Sequence, residues 1–362
     1  MERSRRTFLG WTGAAIVGTG AAVLGAKLLG AGSSSSTPPL PPTATLPPTS
    51  ATLPSQRLAL DTASDLGVPG AAPLITPNDV FFRIDTTYDV PVIDASTWRL
   101  AVRGKVARPF EVTYDELLAL PQVTAPITLA CVSNRVGGGL IGTAVWQGVE
   151  LSTLLDQAGI DPAGTQIVGR SVDGFTAGFP TSVALDGRPA LVAVGMNGEP
   201  LPRDHGYPAR LVVAGLFGYV SATKWLSAIE LTGWDEFDGY WITRGWSKEG
   251  PIIESSRLDT PFDEARVAAG TVTLAGVAWA PMVGVGAVEV QIDGGAWRRA
   301  DLGPALSDGA WRQWRLDWQA APGRHTVTVR TIDANGRVQD PQYHPPDPSG
   351  ATGLETRTIT IT

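Results

Sequence analysis

The sequence predicts an α+β domain followed by an all-β, immunoglobulin-like sandwich. Three observations carry that prediction. Between residues 57 and 261, strand-like runs and short capped helices follow one another in irregular order. From 262 to 362 only strand-like runs occur, separated by turn residues at sandwich spacing. The chain of 362 residues holds 42 Gly and 29 Pro, a fifth of the total against roughly 12% in average usage, which disfavours a helical bundle.

The elements can be justified in chain order. Ser4-Arg5-Arg6-Thr7-Phe8-Leu9-Gly10 resembles a twin-arginine export signal, and a Gly/Ala-rich apolar run follows it as far as Ala26. No Ala-x-Ala site and no lipidation Cys follow, so residues 1–31 read as a signal or as a retained membrane anchor. That route carries proteins folded before export, often around a cofactor. Residues 32–56 are expected to be a disordered linker: between 33 and 56, seven residues are Pro and eleven are Ser or Thr. Residues 98–104 alternate like a half-buried strand. Residues 112–120 read as a short helix, with Thr113 as N-cap, Glu116 completing a capping box and Pro121 as the stop. Residues 127–130 read as a strand, 149–159 as a helix ended by Gly159, and 211–214 as a buried strand. In the tail, strands are expected at 271–279, 288–292, 311–318, 326–332 and 356–361, with a turn at Asp293-Gly294-Gly295. Five of the twelve Trp lie in this tail and read as core.

Composition narrows the function. Hydrophobic residues make up 43%, enough for a large core. Net charge is −7, only four residues are Lys and no basic block occurs, so nucleic acid is a poor candidate partner. Cys131 is the one cysteine, which excludes an intramolecular disulfide.

Two segments carry candidate chemistry. Cys131 ends an apolar strand and opens a polar, Gly-rich loop, Cys131-Val132-Ser133-Asn134-Arg135-Val136-Gly137-Gly138-Gly139. A lone Cys is often a small buried hydrophobe. Here the strand-to-loop position presents it, and Arg135 is expected to lower its pKa toward the thiolate. A Cys-His protease is a rival, with His205 as its one base; His325 and His344 lie in the tail. One Cys and three scattered His show no zinc-site spacing. The second segment runs from 196 to 210, and a third from 215 to 225 follows it. Arg203, His205, Arg210 and Lys224 flank an apolar strand there, a set suited to a phosphate-bearing or anionic ligand.

Taken together, Thr128-Leu129-Ala130-Cys131 with Asn134-Arg135, the stretch 197–210, the stretch 218–225 and the tail motif 311–318 resemble the sulfite oxidase family of molybdenum–molybdopterin enzymes. The resemblance spans roughly residues 75–362. It implies a molybdopterin-binding catalytic domain over 57–261 and an immunoglobulin-like dimerisation domain over 262–362. It implies Cys131 as the soft thiolate ligand of molybdenum. Phe82, Arg83, Asp173, His205, Arg210, Ala222, Thr223 and Lys224 match positions that hold the cofactor. Arg83 also lies beside the metal, Tyr240 matches the active-site tyrosine, and Arg315 matches the arginine lent by the tail to the anion pocket.

The departures from the family bear on function. Val136 stands where family sulfite oxidases carry a second arginine, which weakens the site for a small dianion. Asp85 stands where a His is frequent, and the loop before Lys224 is one residue longer. No Cys-x-x-Cys-His occurs, so no haem is expected, and neither is zinc; electrons would leave through a separate partner such as a cytochrome. The resemblance implies oxygen-atom transfer, oxidising sulfite or a related sulfur anion. The reverse direction, reduction of S-oxides such as protein methionine sulfoxide, is the alternative. A cofactor-free cell-surface binding protein is the reading from another class.

Overall fold

Strand alternation and helix caps set the local structure of the chain. The computed structural model describes residues 51–52 and 64–362. The export motif and most of the linker lie outside the described residues. Among the described residues no helix is long and apolar enough to cross a membrane.

Two sheets build the first part. One runs in the order β1 (Ala51–Thr52), β4 (Val123–Ala130), β5 (Ile141–Glu150), β8 (Ala190–Met196), β10 (Arg210–Val213), with β9 (Glu199–Pro200) beside β8. The other runs β3 (Phe110–Thr113), β2 (Arg99–Gly104), β11 (Leu226–Thr232), β6 (Gln166–Ser171), β7 (Thr176–Pro180). Leu100, Val102, Ile127, Trp146, Val192, Leu211 and Ile229 from these sheets share one core. Helix α1 (Tyr114–Ala119) forms as expected: Glu116 N–H donates to Thr113 Oγ1 at 3.1 Å, and Thr113 N–H donates to Glu116 Oε2 at 2.8 Å. Helix α2 (Leu151–Ala158) buries Leu151, Leu154, Leu155 and Ala158 along one face and ends at Gly159, whose φ of +67° needs glycine. Val149 and Glu150 belong to β5 instead of this helix.

Two further sheets build the tail around a second core. One is ordered β12 (Ser255–Thr260), β14 (Gly270–Trp279), β18 (Arg312–Ala320), β17 (Asp301–Leu302). The other is ordered β13 (Ala265–Val267), β20 (Glu355–Ile361), β19 (Gly323–Asp333), β15 (Val285–Ile292), β16 (Arg298–Arg299). Leu274, Val288, Val290, Trp314, Trp318, Val327, Val329 and Ile359 fill the space they share. Strand β12 lies before residue 262, yet it pairs with β14 and sends Leu258 into this core. The sheet of the tail therefore starts earlier than the change in sequence texture. Its residues Ser255-Ser256-Arg257-Leu258-Asp259-Thr260 are polar at most positions, which hid them from a reading by apolar runs. Trp279 and Trp311 join the first core rather than the second, so the described residues pack as one compact unit.

Candidate functional site

Cys131 directly follows β4, at the edge of the loop that leads into β5. Its N–H donates to Leu140 O at 2.9 Å, and its carbonyl accepts from Asn134 N–H at 3.0 Å. The buried Asn134 side chain accepts from Leu140 N–H at 2.9 Å, which closes the loop at its base. Cys131 as a residue is half-buried, and burial of its thiol pushes the pKa up, partly opposed by hydrogen bonds from Ser133. Arg135 is exposed and is not among the groups acting on the thiol, so the expected thiolate stabilisation by Arg135 is corrected: desolvation wins. A bound metal would hold the thiolate by its own charge.

The cations gather on the neighbouring segments. Arg83 Nε lies 2.5 Å from Asp85 Oδ2, and Arg83 Nη1 lies 3.2 Å from Asp204 Oδ2. The nearly buried Asp85 also pairs with Lys224 through its other oxygen. Lys224 Nζ donates to Asp204 O at 2.9 Å and sits over the Trp225 ring. Burial lowers the Lys224 pKa to about 8 although Asp85 opposes the shift. Arg210 is buried at the start of β10, stacked 4.9 Å over Trp146, with Nη1 donating to His205 O at 3.0 Å. Its pKa falls to about 10 through burial. His205 is buried too, and burial lowers its pKa to about 4, with Arg210 and Lys224 adding to the effect. It is neutral at pH 7. Its Nε2 lies 2.9 Å from Asn78 O, so Nε2 carries the proton and Nδ1 is left as an acceptor.

The polar segment 196–210 is more ordered than a loop. Asn197 and Gly198 both have positive φ, +55° and +81°, and turn β8 into β9 as a two-residue hairpin. The Asn-Gly pair was the available signal for it. The Asn197 side chain donates to Thr76 O and Asn78 Oδ1 and accepts from Val145 N–H, so it braces the segment that carries Asn78 and Arg83. These bracing residues were missed from the sequence.

Helix α3 (Gly218–Ser221) brings the remaining pieces close. A Cβ on Gly218 would lie 3.7 Å from Ala130 O and 3.5 Å from the Ala222 Cβ, so Ala222 sits beside the base of Cys131. Thr223 is fully buried and its Oγ1 has no hydrogen-bond partner among the described residues. A Cβ on Gly169 would come 2.5 Å from that oxygen, so only glycine permits the approach. Asp173 sits in the β6–β7 turn, accepting from Phe175 N–H at 3.0 Å, and Val172 N–H donates to Trp225 O at 2.9 Å. Tyr240 joins the same hairpin: its N–H donates to Thr176 O at 3.0 Å, and its ring lies between Phe175 and the Arg244 guanidinium. Phe82 stacks on Phe81 at 5.2 Å, next to His205.

Arg315 is not brought to this region. Alternation along β18 puts Trp314 in the tail core and Arg315 on the outer face, where it pairs with Asp317 at 2.8 Å and is 37% exposed. The tail arginine that does reach the Cys131 loop is Arg257, whose Nη1 donates to Gly138 O at 3.1 Å.

The donor set fits an anionic pterin phosphate. Arg83 and Lys224 share Asp85 and Arg83 also meets Asp204, buried Arg210 donates to the backbone carbonyls of His205 and Leu211, and buried Arg203 Nε and Nη1 and Thr223 Oγ1 lack partners among the described residues. Among those residues no three His, Cys, Asp or Glu side chains come together as a metal-ion site, so Cys131 would be one ligand beside those of a cofactor.

Comparison with known proteins agrees with this geometry. Residues 87–241 match the oxidoreductase molybdopterin binding domain. Mitochondrial sulfite oxidase of Mus musculus is 30% identical over 325 residues, 73% of this chain and 57% of the relative. The chain thus spans little more than half of that relative's length. An uncharacterized oxidoreductase, YuiH, of Bacillus subtilis is 30% identical over 180 residues, 49% of this chain and 86% of the relative. The crystal structure of the sulfane dehydrogenase SoxCD from Paracoccus pantotrophus superposes with a TM-score of 0.69 at 22% identity, covering 80% of this chain and 84% of that one. That likeness establishes the fold.

Proposed function

Because the chain belongs to the sulfite oxidase family of molybdopterin oxidoreductases, we propose that it is an exported molybdenum enzyme acting on a small sulfur anion such as sulfite. The observation that carries this reading is the cluster of Arg83, Arg210 and Lys224 around Asp85 and His205, joined through the 218–224 segment, whose Gly218 approaches the Ala130 carbonyl just before Cys131. When bound, molybdenum–molybdopterin supplies two-electron oxygen-atom chemistry. The chain does the rest. Cys131 anchors the metal. Arg210, Lys224 and Thr223 hold the phosphate, and neutral His205 offers Nδ1 to a donor on the pterin. Arg83 attracts the substrate anion, with its charge tempered by Asp85. Tyr240 orients from the β7 side. Electrons pass to a separate acceptor such as a cytochrome. The tail would be an immunoglobulin-like dimerisation domain, and the N-terminal motif directs export with or without retention at the membrane.

A second reading rests on Val136. It lines a narrow cleft with Phe217, Ile253 and Trp279, where Arg135 is the one cation. An apolar wall favours S-oxides such as protein methionine sulfoxide over a compact dianion. Turnover of sulfite against methionine sulfoxide, with a dye as electron partner, separates the two. The test of the whole reading is molybdenum per chain in wild type and Cys131→Ser. About one per chain, lost or inactive in the variant, is expected. A folded wild type without molybdenum would leave a binding protein. Within the site, Arg83→Gln should raise KM several-fold more than Tyr240→Phe; equal effects would redraw the pocket.

A further inference from the structure

The tail grips the Cys131 segment at two points. Trp311 N–H donates to Thr128 Oγ1 at 2.7 Å, three residues before Cys131 on β4, and its indole donates to Leu74 O at 2.8 Å. Further along, Arg257 of β12 donates from Nη1 to Gly138 O at 3.1 Å, within the loop. This arginine is firmly aimed. Its Nε lies 2.5 Å from Asp259 Oδ1, its side chain is 11% exposed, and its guanidinium packs 5.8 Å from the Trp311 ring. Asp259 is fixed in turn by Ala72 N–H at 2.8 Å. Beside it, Glu355 accepts from Leu258 N–H and Arg357 Nε. A Cβ on Gly137 would meet Glu355 Oε1 at 2.6 Å, so the loop lies directly on this buried ionic group.

We propose that Arg257 is a positioning residue for Cys131: from the tail it holds the Gly138 carbonyl and thereby the loop that aims the thiol. The proposal rests on Cys131 being the metal ligand. A surface ion pair would contribute little, but a buried guanidinium bonded to both a carboxylate and a loop carbonyl has few alternatives and fixes geometry. The same loop is closed by Asn134 at its base, so Arg257 acts on its tip.

Cys131 is the chain's single cysteine, so its alkylation is a one-site readout. In the cofactor-free full chain, Arg257→Gln should speed alkylation by iodoacetamide at least tenfold, and Arg257→Lys less than threefold. In the loaded enzyme, Arg257→Gln should retain molybdenum, lower kcat with KM unchanged, and shift the paramagnetic signal of the reduced metal; Lys should restore the signal in part. Unchanged alkylation together with an unchanged signal in Arg257→Gln overturns the proposal. Should that variant not fold, Asp259→Asn, which frees the arginine from its carboxylate, decides on the same two readouts. A Cys131→Ser chain with wild-type molybdenum and signal would overturn the ligand reading separately, whatever Arg257 does.

Discussion

The two parts of the molecule treat positive charge differently. In the tail, Arg324 meets Glu264 and Arg315 meets Asp317 in exposed pairs, and Arg330 meets Glu289 and Arg257 meets Asp259 in more buried ones. In the first part, Arg210 is buried on Trp146 and forms no ion pair among the described residues, while Arg83 and Lys224 share Asp85. Buried, under-compensated cations cost stability and are retained where a ligand completes them. Exposed pairs contribute little in either direction. The contrast sets the proposed binding region apart from the tail by its cations that lack a carboxylate of their own.

Removing one cation from each region tests that contrast most strongly. Arg210→Met is expected to cut retained molybdenum cofactor at least tenfold, since it removes a buried charge proposed to meet the cofactor's phosphate. Arg324→Met should leave cofactor content unchanged and cost at most about 1 kcal/mol, the range for exposed pairs such as Arg324–Glu264. Metal analysis and thermal melts of both variants read this out. Equal cofactor loss would erase the distinction between the regions.

The same contrast explains what was legible in the sequence. Tail strands β14, β15, β18, β19 and β20 were readable because turn residues bound each strand-like run. Strands β5 and β8 were not: they are buried on both faces, show no alternation, and β5 carries two glycines. The Thr113–Glu116 box was readable because a cap is a local contact. Within the site, Cys131, His205, Arg210 and Lys224 lie in dense local motifs. Asp85 as the shared counter-charge, Asn197 as a brace and Arg257 as a loop contact depend on partners 119 to 139 positions away (Asp85 to Lys224, for one), which spacing along the chain does not reveal. Arg315 differs for a local reason: the alternation of β18 turns Trp314 and Trp318 into the tail core and so sends Arg315 to the opposite face.

A smaller effect sharpens the comparison through pH. Burial lowers the His205 pKa to about 4 from 6.5, so between those values the unfolded chain binds more protons than the folded one. Stability of the cofactor-free chain should therefore fall as pH drops through that window, by on the order of 3 kcal/mol for this group. His205→Gln does not titrate and can still donate to Asn78 O. Its stability should fall less steeply from pH 6.5 to 4 in urea titrations. Parallel curves would mean that His205 is solvated in the cofactor-free state. His325 in the tail behaves oppositely, because the exposed Asp293 raises its pKa, so that group stabilises the fold only while pH stays below its raised value.

The smallest expected effect concerns Arg315. Its guanidinium meets Asp317 on the outer face of β18, both side chains more than a third exposed, and no contact links it to Cys131 or Lys224. Arg315→Gln should change stability by less than about 1 kcal/mol and leave KM for the proposed sulfur substrate within twofold. Steady-state kinetics with the dye acceptor measure this directly. A large rise in KM would mean that a second copy of the chain places this face against the site, since within one chain β18 turns it away. The dimer would then be part of the substrate pocket, and the division of labour between the two regions would hold only within a single chain.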